Sequence, residues 1–239
     1  MVPRRKAGHG PLVSAGERED LRSIFADSTF EAIASILQGL QGIQWVVAMQ
    51  PIQQSLFPME GAPDGLFFEA EILTPAEEQA YLEIIRELPF GPFRMHGVDA
   101  KRRVVRFGGQ YLTGSAEMKP SSAFPPSLEP LRERAATVLG VAAATLSESL
   151  VTEYTTGAGI GWHCDSPPFG IIVGISFGAE CRMRFQRGER KDRHTWSLEL
   201  PPRSLYMLSG SAREDWQHSI PPVKETRYSV TFRTLRDRG

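Results

Sequence analysis

Two histidines and an aspartate stand in the order His163, Asp165, His218, within Gly161-Trp162-His163-Cys164-Asp165 and Asp215-Trp216-Gln217-His218-Ser219. Beyond them lies Arg227-Tyr228-Ser229-Val230-Thr231-Phe232-Arg233. Two imidazoles and one carboxylate hold one face of an Fe(II) ion and leave the other positions open to substrate and O₂. A downstream guanidinium offers a planar fork to the carboxylate of an organic acid seated at that metal. The set therefore reads as a mononuclear iron oxygenase using an oxo-acid cosubstrate. A lone His-x-Asp pair is common by chance, and an Arg-x5-Arg pair is commoner still. Their joint occurrence in this order carries the reading.

Spacing supports it. On an extended strand, residues i and i+2 share a face, so His163 and Asp165 can reach one ion while Cys164 points away. The third ligand must come from a neighbouring strand. Arg227 and Arg233 differ by an even number, so one strand presents both on one face, with Ser229 and Thr231 between them. Tyr228, Val230 and Phe232 then pack on the other. Trp162 and Trp216 are candidates to pack around the metal, or simply to fill the core.

The chain resembles the AlkB family of Fe(II)- and 2-oxoglutarate-dependent dioxygenases. The resemblance runs from about Phe67 to Leu235. It rests on Tyr154-x8-His163-x-Asp165, on His218-Ser219-Ile220-Pro221-Pro222, and on the Arg227–Arg233 segment. It implies Fe(II), 2-oxoglutarate and O₂ as cofactors and cosubstrates. Arg227 and Tyr154 would bind the distal carboxylate, and Arg233 would lie at the cosubstrate end of the pocket. It implies decarboxylation of 2-oxoglutarate to succinate and CO₂, with hydroxylation of a substrate C–H bond. The expected substrate is an alkylated base in single-stranded DNA or RNA, as repair or RNA modification; the alternative is a protein side chain or a small molecule. Three positions depart from the family pattern. Thr152 and Ser229 stand where amides are frequent; their hydroxyls can still bind a carboxylate but reach less far. Pro167 stands where the best-known DNA-repair members carry an acidic residue, which leaves the substrate open.

Composition sets the frame. The 239 residues are 41% hydrophobic and 23% charged, enough for one catalytic domain with a sizeable core. A formal net charge of −1 gives no global argument for nucleic acid. Two cysteines, Cys164 and Cys181, supply no disulfide framework. No signal peptide or membrane span is legible, so a cytoplasmic monomer is expected.

The elements that must position the site follow. Residues 1–48 read as a poorly ordered N-terminal extension, either an upstream start or an accessory helix over Phe30–Leu40. Residues 49–239 read as the dioxygenase domain, with a catalytic core at about 151–235. Leu66 to Leu73 reads as a strand. Thr74-Pro75-Ala76-Glu77 opens a helix with a capping box, and Pro89 stops it after Leu88. A second helix is expected over Leu128–Leu139, capped by Ser127 and ended by Gly140. Short strands over Ile171–Ser176, Cys181–Gln186, Thr195–Leu200, Arg203–Leu208 and Thr226–Thr234 suit an α+β fold whose core is a double-stranded β-helix, or jelly roll, with flanking helices. Lys101–Tyr111 reads either as a substrate lid or as an ordinary amphipathic strand. As a lid it offers Arg103 and Arg106 to phosphates and Phe107 or Tyr111 to a base. Arg182–Arg193 forms a local basic hairpin, in which Arg190 is a further candidate for the nucleic-acid backbone.

Overall fold

The computed structural model describes residues 59–95, 98–111, 118–120 and 122–236. The expected extension over residues 1–48 lies outside them. Among the described residues no helix is long and apolar enough to cross a membrane.

Among the described residues twelve strands form two sheets. They are β1 (Leu66–Glu69), β2 (Gly91–Met95), β3 (Val98–Tyr111), β4 (Met118–Pro120), β5 (Leu146–Tyr154), β6 (Ile160–His163), β7 (Phe169–Gly178), β8 (Cys181–Arg187), β9 (His194–Leu200), β10 (Leu205–Leu208), β11 (Gln217–Ile220) and β12 (Arg227–Leu235). The major sheet has the order β1-β10-β7-β12-β5-β3-β2, with β4 paired to β3; the minor sheet has the order β6-β11-β8-β9. Together they make the double-stranded β-helix. Three helices accompany them: α1 (Pro75–Arg86), α2 (Glu129–Leu139) and the short α3 (Gly210–Glu214).

Strand parity divides the apolar residues between two cores. Val173, Ile175 and Phe177 of β7, with Tyr228, Val230 and Phe232 of β12, pack with Leu82 and Ile85 of α1 and Leu131 and Ala135 of α2. Alternate residues of the same sheet turn into the barrel, where Tyr154, Ile172 and Tyr206 join Met183, Phe185, Leu200 and Trp216. The period-2 pattern thus places aliphatic and aromatic groups under the helices and leaves the opposite face for the site.

α1 opens as its sequence dictates. Thr74 Oγ1 accepts from the Glu77 backbone N–H at 3.2 Å, and the Glu77 carboxylate accepts from the Thr74 N–H at 2.7 Å. The buried Glu78 ties this helix to the sheet by accepting from the Gly178 N–H at 2.8 Å and from Arg203 Nη1 at 3.0 Å. α2 ends at Gly140, whose φ of 65° is the left-handed turn expected there.

Several boundaries differ from expectation. β1 stops at Glu69 because Glu71 adopts a φ of 55°, and β10 begins only at Leu205 because Arg203 adopts a φ of 64°. Pro126 opens a 3₁₀ turn over Pro126–Leu128, so Ser127 sits inside that turn and Leu128, not Ser127, precedes α2. The segment read as a lid is the long strand β3, hydrogen-bonded to β5 from Arg103 to Gly108.

Phe232 is fully buried and meets Phe124 edge-on at 5.4 Å between ring centroids. It anchors the back of the strand that carries Arg227 and Arg233. Phe232→Ala should lower unfolding free energy by about 3–5 kcal/mol, measured by urea denaturation.

Candidate metal and oxo-acid site

His163 ends β6, and Asp165 follows it just beyond the strand. His218, on β11, is the direct cross-strand partner of His163. The alternation argument therefore places His163, while Asp165 reaches the same point from an irregular segment rather than from a continued strand. Ligand atoms of the three lie within 4.8 Å of one another. His218 Nε2 stands 3.5 Å from Asp165 Oδ2, and the imidazole centroids are 4.3 Å apart. His163 Nδ1 lies 2.9 Å from the Gly161 carbonyl. A carbonyl only accepts, so Nδ1 carries the proton and Nε2 keeps its lone pair for a metal. The segment after Asp165 is fixed by the buried Arg213, which donates to the carbonyls of Ser166 (2.7 Å) and Phe169 (3.0 Å).

Charges set the protonation states of the triad. Burial would raise the Asp165 carboxyl, but Arg233, His218 and His163 together hold it below its ordinary value. Burial lowers His218 to about 4, so it is a neutral ligand at physiological pH. Arg233 Nη1 donates to the buried Glu148 at 2.6 Å, and its Nη2 lies 3.5 Å from Asp165 Oδ1. Arg233 thus bridges the two carboxylates and holds one edge of the triad.

The β12 register brings the other candidates together. Arg227 faces Tyr154, Ser229 faces Thr152 and Arg233 faces Glu148 across the β12–β5 ladder. Arg227 is fully buried, donates from Nε and Nη2 to Ser176 Oγ at 3.1 and 2.8 Å, and lies 5.2 Å over the Tyr154 ring. Its Nη1 has no hydrogen-bond partner. A buried guanidinium with an unused donor is costly unless an anion completes it. The arrangement therefore fits the two groups the sequence implied: a divalent metal held by two imidazoles and a carboxylate, and an anionic acid ending at Arg227.

A cavity of about 520 Å³ opens on the triad and is lined also by Thr152, Ser229, Arg233 and Tyr154, the ring that Arg227 lies over. β3 contributes Arg102, Val104 and Arg106 to its wall, and β2 contributes Phe93. The Arg102 guanidinium stacks 4.1 Å from the Phe93 ring centre, and that of Arg106 lies at 5.5 Å.

Parity corrects two substrate candidates. Arg103 points to the opposite side of β3 and pairs with Glu153 at 2.5 Å, and Phe107 is buried in the helix-side core against Phe124. Arg106 does line the cavity. The side chains of Tyr111 and Arg190 lie outside the described residues. Trp162 does not pack around the metal: it is 38% exposed and lies under Arg184 on the outside of the minor sheet. Trp216 is a core residue. Sequence reasoning missed Phe93, Ser176, Glu148 and Tyr206 as site residues. Counting inward positions on β3, β5, β7 and β10 from those on β12 would have found most of them.

A jelly-roll barrel with this ligand set at its mouth defines a class, the non-haem iron oxygenases. A profile of the 2OG-Fe(II) oxygenase superfamily matches residues 89–234. The chain belongs to that superfamily and, within it, to the AlkB family. It is a 2-oxoglutarate-dependent dioxygenase whose chemistry requires Fe(II), 2-oxoglutarate and O₂. It is 30% identical over 223 residues to an Arabidopsis thaliana protein named "Alkylated DNA repair protein ALKBH8 homolog", the match covering 77% of this chain and 62% of that one. It is 27% identical over 172 residues to the Mus musculus "tRNA (carboxymethyluridine(34)-5-O)-methyltransferase ALKBH8", covering 70% of this chain and 26% of that one. It thus spans less than two thirds of either relative. The solved structure titled "The structure of OsALKBH1" superposes with a TM-score of 0.57 at 14% identity, covering 72% of this chain and 97% of that one, which shows the shared fold.

The depressed His218 value has a measurable consequence. The folded, metal-free protein keeps this imidazole neutral down to about pH 4, whereas an unfolded chain protonates near 6.5. Between those values the unfolded state binds more protons, so stability contributed here is present above about 6.5 and is lost as pH falls toward 4. Urea midpoints of chelator-treated protein should fall over that window. His218→Gln should flatten the slope.

Proposed function

We propose that this dioxygenase hydroxylates an alkyl group on a nucleobase of single-stranded DNA or RNA. The observation that carries the reading is the cavity wall made by Arg102, Arg106 and Phe93. It offers cations and an aromatic face beside the triad in a chain whose overall charge is near neutral. Guanidinium groups suit phosphates and a ring suits a base. The printed names of the two relatives, one of alkylated DNA repair and one of tRNA, support the same class.

In this reading His163, Asp165 and His218 hold the iron. Arg227 and Tyr154 hold the distal carboxylate of 2-oxoglutarate, with Thr152 and Ser229 beside them. When bound, the iron and cosubstrate reduce O₂ so that one oxygen atom ends in succinate and the other in a substrate hydroxyl, with loss of CO₂. Glu148 holds Arg233 against Asp165 and so fixes the carboxylate's direction. The Gly161 carbonyl fixes the His163 tautomer. The aromatic interior of Tyr154, Phe169 and Phe185 keeps bulk water from the reacting atoms. An N-methyl group hydroxylated there becomes a hemiaminal, which releases formaldehyde and leaves the free base.

Four experiments test this. His163→Ala, Asp165→Ala and His218→Ala should each abolish succinate formation at saturating iron. Arg227→Lys, which keeps the charge but loses the fork, should weaken 2-oxoglutarate binding at least about tenfold, read by calorimetry. Mass spectrometry of methylated DNA and RNA oligonucleotides should show base-specific loss of a methyl group. The double charge reversal Arg102→Glu with Arg106→Glu should weaken polynucleotide binding and reduce its salt dependence. Uncoupled 2-oxoglutarate turnover should survive that change. Wild-type protein that shows neither salt-dependent binding nor demethylation of any polynucleotide would refute the substrate assignment while leaving the iron chemistry in place.

A further inference from the structure

Tyr206, on β10, lines the cavity together with His163, Asp165 and His218. Its backbone pairs with Gly174 of β7, and Gly174 pairs on its other side with Thr231 of β12. The Tyr206 ring lies flat on that glycine. A Cβ at Gly174 would fall 2.4 Å from Cε1, 2.5 Å from Cζ and 2.6 Å from the hydroxyl oxygen. These separations are far inside van der Waals contact and involve a ring held on both sides of the barrel. Gly174 needs no left-handed conformation, so what the missing side chain supplies is space. Any other residue there would push the phenol out of its place.

That place is specific. Tyr206 is 8% exposed, and the groups that act electrostatically on its hydroxyl are Arg227, Asp165, Tyr154 and Arg233. Burial pushes the phenol up to about 12, so it remains an O–H donor throughout the working pH range. Among the described residues no protein acceptor is assigned to this hydroxyl. Tyr206 lines the cavity, so an acceptor that enters there can take a hydrogen bond from its hydroxyl.

We propose that Tyr206 is a cosubstrate-recognition residue: its hydroxyl donates to the oxo-acid, and its ring, seated on Gly174, limits the length of acid that fits between Arg227 and the metal ligands. The proposal rests on Arg227 as the carboxylate anchor. It makes the barrel selective for a five-carbon oxo-diacid over its six-carbon homologue. Thr152 and Ser229 reach less far than amides, and a phenol from β10, two strands from β12 in the same sheet, supplies a further donor.

Binding to the Mn(II)-loaded full chain, which does not turn over, tests this by calorimetry with 2-oxoglutarate, N-oxalylglycine and 2-oxoadipate. Tyr206→Phe, nearly isosteric, should weaken 2-oxoglutarate and N-oxalylglycine about tenfold with Mn(II) affinity unchanged. Tyr206→Leu, which shortens the wall, should raise the affinity ratio of 2-oxoadipate to 2-oxoglutarate by about tenfold, one methylene being accommodated. Wild-type cosubstrate affinity in Tyr206→Phe, or an unchanged ratio in Tyr206→Leu, overturns the proposal. Arg227→Lys in the same assay separates this from its premise. If that variant keeps wild-type 2-oxoglutarate affinity, the anchor reading is what fails.

Discussion

The site depends on the register of β12 against its two neighbours. That strand runs through the middle of the major sheet, paired on one side with β5 and on the other with β7. Its odd-numbered residues Arg227, Ser229, Thr231 and Arg233 enter the barrel, and its even-numbered residues Tyr228, Val230 and Phe232 meet the helices. A slip of one residue would exchange the two sets, burying charges under α1 and α2 and turning aromatic rings into the cavity. The apolar residues on the back of the strand therefore enforce the position of the polar residues on its front. Packing energy, which has no chemical selectivity, fixes the geometry of groups that do.

The front of the strand pays for nothing by itself. Arg227 and Arg233 are both buried, and burying a guanidinium opposes folding unless its donors are used. The two are treated differently. Arg233 is neutralised within the protein by Glu148 and Asp165, so its role is internal: it holds a carboxylate that the metal needs. Arg227 donates to Ser176, lies over the face of Tyr154 and stands near Cys181 and Tyr206, and its Nη1 has no hydrogen-bond partner. Its charge is left for something from outside. Each guanidinium leaves one nitrogen without a partner, Nε of Arg233 and Nη1 of Arg227, but only Arg233 has carboxylates beside it. That difference separates a positioning residue from an anchor.

How much of this was legible in the sequence follows from the range of each signal. The ligands, the Arg227–Arg233 face and the opposite apolar face were readable because period-2 alternation is local. The α1 capping box was readable for the same reason, being written within four residues. Phe107 and Arg103 were misassigned because a basic, glycine-bearing segment has the composition of a loop, while its pairing with β5 is a contact over about fifty residues that no local signal records. Once the pairing is known, parity alone turns Arg103 and Phe107 out and Arg102 and Arg106 in. Tyr206 was invisible for a different reason. Its importance lies in Gly174, and a single glycine within an apolar strand reads as a weak point, not as a recess cut for a ring thirty-two residues later.

Reaction and substrate are encoded in different parts of the chain, and this is why one is easier to read than the other. The triad and Arg227 come from β6, the segment just after it, β11 and β12, where short spacings and strict parity leave little freedom. The wall that faces an incoming substrate comes from β2 and β3, more than fifty residues upstream of the first ligand. Nothing in the metal's coordination constrains that wall, so its residues answer only to whatever molecule must fit there. Phe93 under two guanidinium groups puts an aromatic face and positive charge on that wall, and the nucleic-acid proposal rests on that surface. Arg102 and Arg106 belong to the wall and not to the ligand set, so the substrate reading can fail while the iron reading stands.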